Sequence, residues 1–127
     1  MDAEKKLIKL IAYLIELTQK GKLNWERHDP PDSIVTSHDN IVDFVYQTTF
    51  ENKELRIYEE RYKYWYDEDK WNWDSRVILD FADDYGRSVW KFPSLPGLWD
   101  LLESVKYREV DVDGFVSDII NKYKLDK

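Results

Sequence analysis

The sequence predicts an α+β protein: an N-terminal helix, a four-stranded antiparallel meander, and two C-terminal helices packed on one face of the sheet. Three observations carry this expectation. Apolar residues recur at three- and four-residue steps at both ends of the chain. Between Ile41 and Phe92 the pattern changes to the two-residue alternation of half-buried strands. The alternating runs are separated by short polar turns, and helices segregated from a continuous meander imply a sheet covered on one side. At 127 residues the chain is expected to form one domain spanning 1–127, able to bury roughly two-thirds of its unfolded surface.

The first helix follows Asp2, a residue suited to capping, and runs to about Lys20. Leu7, Leu10, Ile11, Leu14 and Leu17 form its stripe, widened by Ile8 and Ile15, and Gly21 ends it. Lys9 and Glu16 interrupt the apolar stretch, and no small-residue cleavage site follows. An amphipathic core helix is therefore expected rather than a signal peptide or a membrane span. Leu23 to Asn40, with Pro30-Pro31 and both histidines, reads as an extended loop carrying a short strand at Ile34-Val35.

In the first strand of the meander Val42, Phe44, Tyr46, Thr48 and Phe50 alternate with Asp43, Val45, Gln47 and Thr49. The second, Leu55 to Tyr66, places Leu55, Ile57 and Trp65 on one face and Tyr58, Tyr62, Tyr64 and Tyr66 on the other. A bulge at Glu59-Glu60-Arg61 would exchange those faces. In the third, Trp71, Trp73, Ser75, Val77, Leu79 and Phe81 lie opposite Asn72, Asp74, Arg76 and Asp80. Asp83-Asp84-Tyr85-Gly86 makes the last hairpin turn, and Arg87 to Phe92 closes the sheet. Ser94 is expected to cap the next helix, with Pro96 in its first turn and Leu98, Trp99, Leu102 and Val105 facing the core. Asp111 or Asp113 starts the last helix. Val112, Phe115, Val116, Ile119, Ile120 and Tyr123 are expected to line its buried side.

The absence of cysteine excludes disulfides, cysteine-ligated metal centres and thiol catalysis, and suits a reducing compartment such as the cytoplasm. The net charge of −7 opposes binding to nucleic acid or an anionic membrane and favours a basic partner. With no nucleophile elbow, no glycine-rich phosphate loop and only four glycines, the chain reads as a binding module rather than an enzyme, with no cofactor expected.

Four features could carry chemistry. His28-Asp29 and His38-Asp39 could converge as metal ligands or supply a general base, although they lack the spacing of a helical zinc motif. Asp67-x-Asp69 begins like a calcium loop, but Asn72 stands where that loop needs glycine and Ile78 where it needs glutamate. Arg61-Tyr62-Lys63-Tyr64-Trp65 offers a basic, aromatic run for a single strand of nucleic acid, opposed by the acidic turn beside it. The strongest signal is the aromatic density between Tyr58 and Trp73. Alternation sends Trp65, Trp71 and Trp73 toward the helices and the tyrosines outward. Tyr58, Tyr62, Tyr64 and Tyr66, with Arg61, Arg76 and Asp74, then have the composition of a protein-contact surface. Cross-strand ring pairing would explain the same residues by strand stability alone.

Three functions follow. The first is a small acidic module binding a basic protein. In size and charge, though through no motif, the chain resembles bacterial immunity proteins that neutralise a toxin and secretion chaperones that hold an effector. The second is a metal-dependent enzyme or metal-binding protein using His28 and His38. The third is a structural homodimer closed by the aromatic face.

Overall fold

The computed structural model describes residues 3–34 and 39–126. Helix α1 (Ala3–Gln19) buries Ile11, Leu14 and Thr18. It ends as expected at Gly21, whose φ of 72° lets two amides turn back, Gly21 N to Thr18 O at 3.1 Å and Lys22 N to Leu17 O at 2.9 Å. Thr18 Oγ1 donates to the Leu14 carbonyl at 2.7 Å and accepts from Trp25 Nε1 at 3.1 Å, which satisfies both polar groups within the core.

Among the described residues the sheet has five strands, not four: β1 (Glu26–His28), β2 (Val45–Phe50), β3 (Lys53–Asp67), β4 (Lys70–Ala82) and β5 (Ser88–Lys91), antiparallel and in sequence order. The additional strand is β1. It lies in the stretch expected to be loop and is held by pairing to β2, with Arg27 opposite Tyr46. All three of its residues are exposed, so no apolar alternation announces it. The short strand expected at Ile34-Val35 is not seen at Ile34, which lies in a turn; Val35 falls outside the described residues.

The strand expected from Ile41 begins at Val45 because the chain changes phase before it. Ile41 forms an isolated antiparallel bridge with Arg61, and regular pairing resumes with Tyr46 opposite Ile57. As a result Val42 and Val45 are buried together, Phe44 is exposed, and Tyr46 enters the main core. β3 and β4 pair without interruption from Glu54–Ala82 to Trp65–Trp71, so the mid-strand bulge that would exchange faces does not occur. The register shifts only at the hairpin end, where Tyr66 is the extra residue.

The main core lies between one sheet face and two helices. Leu55, Ile57, Val77 and Leu79 meet Ile11 and Leu14 of α1 and Leu98, Leu101, Leu102 and Val105 of α2 (Leu98–Glu109). Helix α2 starts later than expected, after Gly97 rather than within the Ser94–Pro96 segment. Gly97 takes φ 91°, and an added Cβ would lie 3.1 Å from Ile11 Cγ2, so glycine serves both the turn and the close packing of α1. Trp99, expected in the core, is exposed.

Helix α3 (Val112–Tyr123) departs furthest from expectation. Asp111, in the left-handed region at φ 58°, caps it by accepting from Gly114 N at 3.2 Å. Yet no residue of α3 is buried, so its apolar side does not pack on the sheet. Among the described residues, α1 and α2 supply the helical layer of the core.

A second, smaller cluster covers part of the opposite sheet face, where Val42, Val45 and Tyr58 pack with Ile34 and Ile78. This cover is pinned by a buried ion pair. Arg56 and Asp80 are cross-strand partners, 1% and 0% exposed, joined by Nε–Oδ1 at 2.9 Å and Nη2–Oδ2 at 2.8 Å. Arg56 Nη1 also donates to the Gly86 carbonyl at 2.7 Å, which accepts from Ser33 Oγ at 2.7 Å as well. One guanidinium thereby ties β3, β4, the β4–β5 turn and the Pro31–Ile34 turn together.

Candidate protein-contact site

Beyond the core, β3 and β4 continue as a two-stranded ribbon. The Lys106–Glu59 ion pair, at 3.9 Å, marks where α2 still reaches β3. From Glu59 to Asp67 the strand advances about 26 Å at ~3.3 Å per residue. Along the first part of this run the 39–43 segment flanks β3, through Asp43–Arg61 at 2.9 Å and Asp39–Lys63 at 3.7 Å. From Tyr64 through Lys70 every residue is exposed.

The ribbon's two faces differ. One carries Trp65, Trp71 and Trp73, in register with Leu55 and Leu79 but past the cover of the helices; Trp65 is 53% exposed and Trp73 48%. The expectation that these rings point to the helical side is right in direction, but they are not buried there. They pack on one another instead. Trp71 meets Trp65 at 6.2 Å between centroids and Trp73 edge-on at 5.2 Å, with Lys63 Nζ 4.6 Å from its centroid.

The other face carries Tyr62 and Tyr64, paired with Asp74 and Asn72. Arg76 lies 4.6 Å over the Tyr62 ring while its Nε and Nη2 bind Glu60 Oε1 at 2.7 and 2.6 Å. Tyr62 donates to Asp74 Oδ2 at 3.3 Å. Partial burial first, and the Asp74 charge second, push the Tyr62 hydroxyl above its ordinary range. Tyr64 is 55% exposed, and Tyr66 projects from the bulge next to it.

The seven residues expected to form a contact surface therefore separate. Tyr62, Tyr64, Asp74 and Arg76 assemble on one face of the ribbon, and Tyr66 adjoins them at its end. Tyr58 shares their face but lies beneath the second cluster at 2% exposure and offers no surface. Burial pushes its hydroxyl well above the ordinary range, with the Asp80 charge adding to the effect. Arg61 stands on the tryptophan face, opposite Ser75, and pairs with Asp43. Sequence reasoning also missed the Arg56–Asp80 clasp. Its signal was an opposite-charge pair facing across the β3–β4 register, visible only once that register is known.

The histidine reading gains no geometry. His28 is exposed at the end of β1, 3.4 Å from Glu26, and His38 lies outside the described residues. Among the described residues no three His, Asp or Glu side chains gather to hold a metal ion. Among them, too, no helix is long and apolar enough to cross a membrane. No protein-family model, curated protein or solved structure matches this chain.

Proposed function

We propose that the chain is an acidic protein-binding module whose contact surface is the exposed β3–β4 ribbon, and that its partner is a basic protein. The observation supporting this is the pairing of exposure with rigidity. Trp65 and Trp73 remain about half exposed although the Trp71 ring between them already constrains both, and Tyr64 and Tyr66 add exposed rings beside them. Ordered aromatic side chains lose little further freedom on association, which makes them efficient anchors. Cross-strand pairing alone would account for rings on one face, but here both faces of an unsupported hairpin carry them. The tip is acidic, with Asp67, Glu68 and Asp69 against Lys70, and the chain carries −7 overall. A basic partner would be drawn to this end first, in a salt-dependent encounter.

A photo-crosslinking residue placed at position 64, and at exposed position 9 on α1 as control, tests the reading in producing cells. The expected result is one dominant adduct with a basic protein from position 64 and not from position 9. Adducts of equal pattern from both positions, or none from position 64, would overturn the ribbon as the contact surface.

A further inference from the structure

We infer that α3 is a dimerisation helix: its apolar face packs against the same face of a second copy of this chain, with the two helices antiparallel. This inference does not rest on the ribbon and concerns the opposite end of the sequence. Val112, Phe115, Val116, Ile119, Ile120 and Tyr123 recur at three- and four-residue steps and form one stripe along the helix. None is buried; Phe115 is 67% exposed and Tyr123 61%. A helix of 12 residues is marginal in water without packing of its apolar side. Within the chain it is tied at its start, by the Asp111 cap and by the Tyr107 hydroxyl donating to Asp113. Val112, Ile119 and Ile120 are partly covered, and Phe115, Val116 and Tyr123 are left exposed for another molecule.

Two arguments identify the occupant as a second copy. The first is area. The stripe, extended by Val110 and Leu125, presents on the order of 600 Å² of apolar surface, close to the ~800 Å² per partner of a stable interface. The second is charge: antiparallel alignment sets opposite helix-dipole ends side by side, so each end of the helix is complementary to the end it meets in its twin. An anionic lipid surface would meet Asp113, Asp118 and a chain of net charge −7, which disfavours it.

Sedimentation equilibrium of the full chain, from about 1 to about 300 µM, is the test, since an interface of this size is populated within that range. The expected mass is twice 15.4 kDa. Phe115→Asp and Ile119→Asp are each expected to raise the dimer dissociation constant by more than ~tenfold. Both positions lie outside the buried core, so the cooperative unfolding of the sheet should persist and report that the variants fold. A monomer at every concentration would overturn the inference, as would a dimer untouched by Phe115→Asp and Ile119→Asp. A dimer abolished by Tyr64→Ala would move the interface to the ribbon. Monomers that bind phosphatidylcholine vesicles through α3 would replace the second copy by lipid.

Discussion

Replacing Asp80 by alanine removes one half of a pair that has no water to fall back on. Arg56 keeps its Gly86 contact at 2.7 Å but loses both carboxylate bonds, at 2.9 and 2.8 Å, while remaining 1% exposed. Leaving a buried charge without its partner costs about 3–5 kcal/mol. For a chain of this length 1 kcal/mol corresponds to about 3–4 °C, so the melting temperature should fall by roughly 10–20 °C. The effect should not be additive. Arg56→Met combined with Asp80→Leu removes both charges and fills the space, and is expected to recover most of the loss because the desolvation penalty disappears with them. Urea unfolding of the parent, Asp80→Ala, the singles Arg56→Met and Asp80→Leu, and their double variant measures this, with an unchanged denaturant slope certifying comparable unfolding. The clasp account would be refuted if Asp80→Ala cost less than about 1 kcal/mol, or if the double variant were as damaged as the sum of the singles.

Two further predictions concern the tyrosine and tryptophan clusters. The ordinary tyrosine value lies near 10, and burial raises that of Tyr58. Its contribution is therefore fully present below pH 10 and declines above it, by up to ~1.4 kcal/mol per pH unit, as the unfolded phenol ionises first. Urea midpoints between pH 8 and pH 11 should fall less steeply for Tyr58→Phe than for the parent, and equal slopes would contradict the assigned burial. Trp71→Ala removes two ring contacts and the Lys63 contact, so the hairpin end should lose about 1.5–3 kcal/mol of local stability. Amide exchange should accelerate between residues 63 and 73 and stay unchanged around Ile57; uniform acceleration would mean that the ribbon and core unfold as one unit.

Much of the fold is legible in the sequence where burial and periodicity agree. The α1 stripe, the β3–β4 hairpin and its alternation follow from residue spacing, because each has one face buried or in register with a buried one. What is not legible depends on partners distant in sequence. β1 has no buried residue and exists through its pairing with β2. The phase change between Ile41 and Val45 arises because Ile41 bridges to Arg61 while Tyr46 answers Ile57, two registers that differ by one residue. Tyr58 reads as an outward tyrosine, and on an open sheet it would be one. It is buried because Arg56, Asp80, Gly86 and Ser33 hold a distant turn beside it. For α3 the stripe is legible in the sequence but its cover is not. Periodicity reports that a helix has an apolar side, and it is silent on which molecule meets that side.

The candidate site was legible in composition and only partly in placement. Density of rings pointed to the stretch between Tyr58 and Trp73, yet the helices end before the ribbon does, which turns expected core tryptophans into exposed ones. The central claim, that this exposed ribbon is a protein-contact surface, is tested most directly by affinity. With the partner captured at position 64 purified, titration calorimetry would compare the parent chain with Tyr64→Ala, a change at an exposed position. The account predicts affinity at least ~tenfold weaker for the variant, with parent binding that weakens as salt rises. Equal affinity for parent and variant, indifferent to salt, would contradict it.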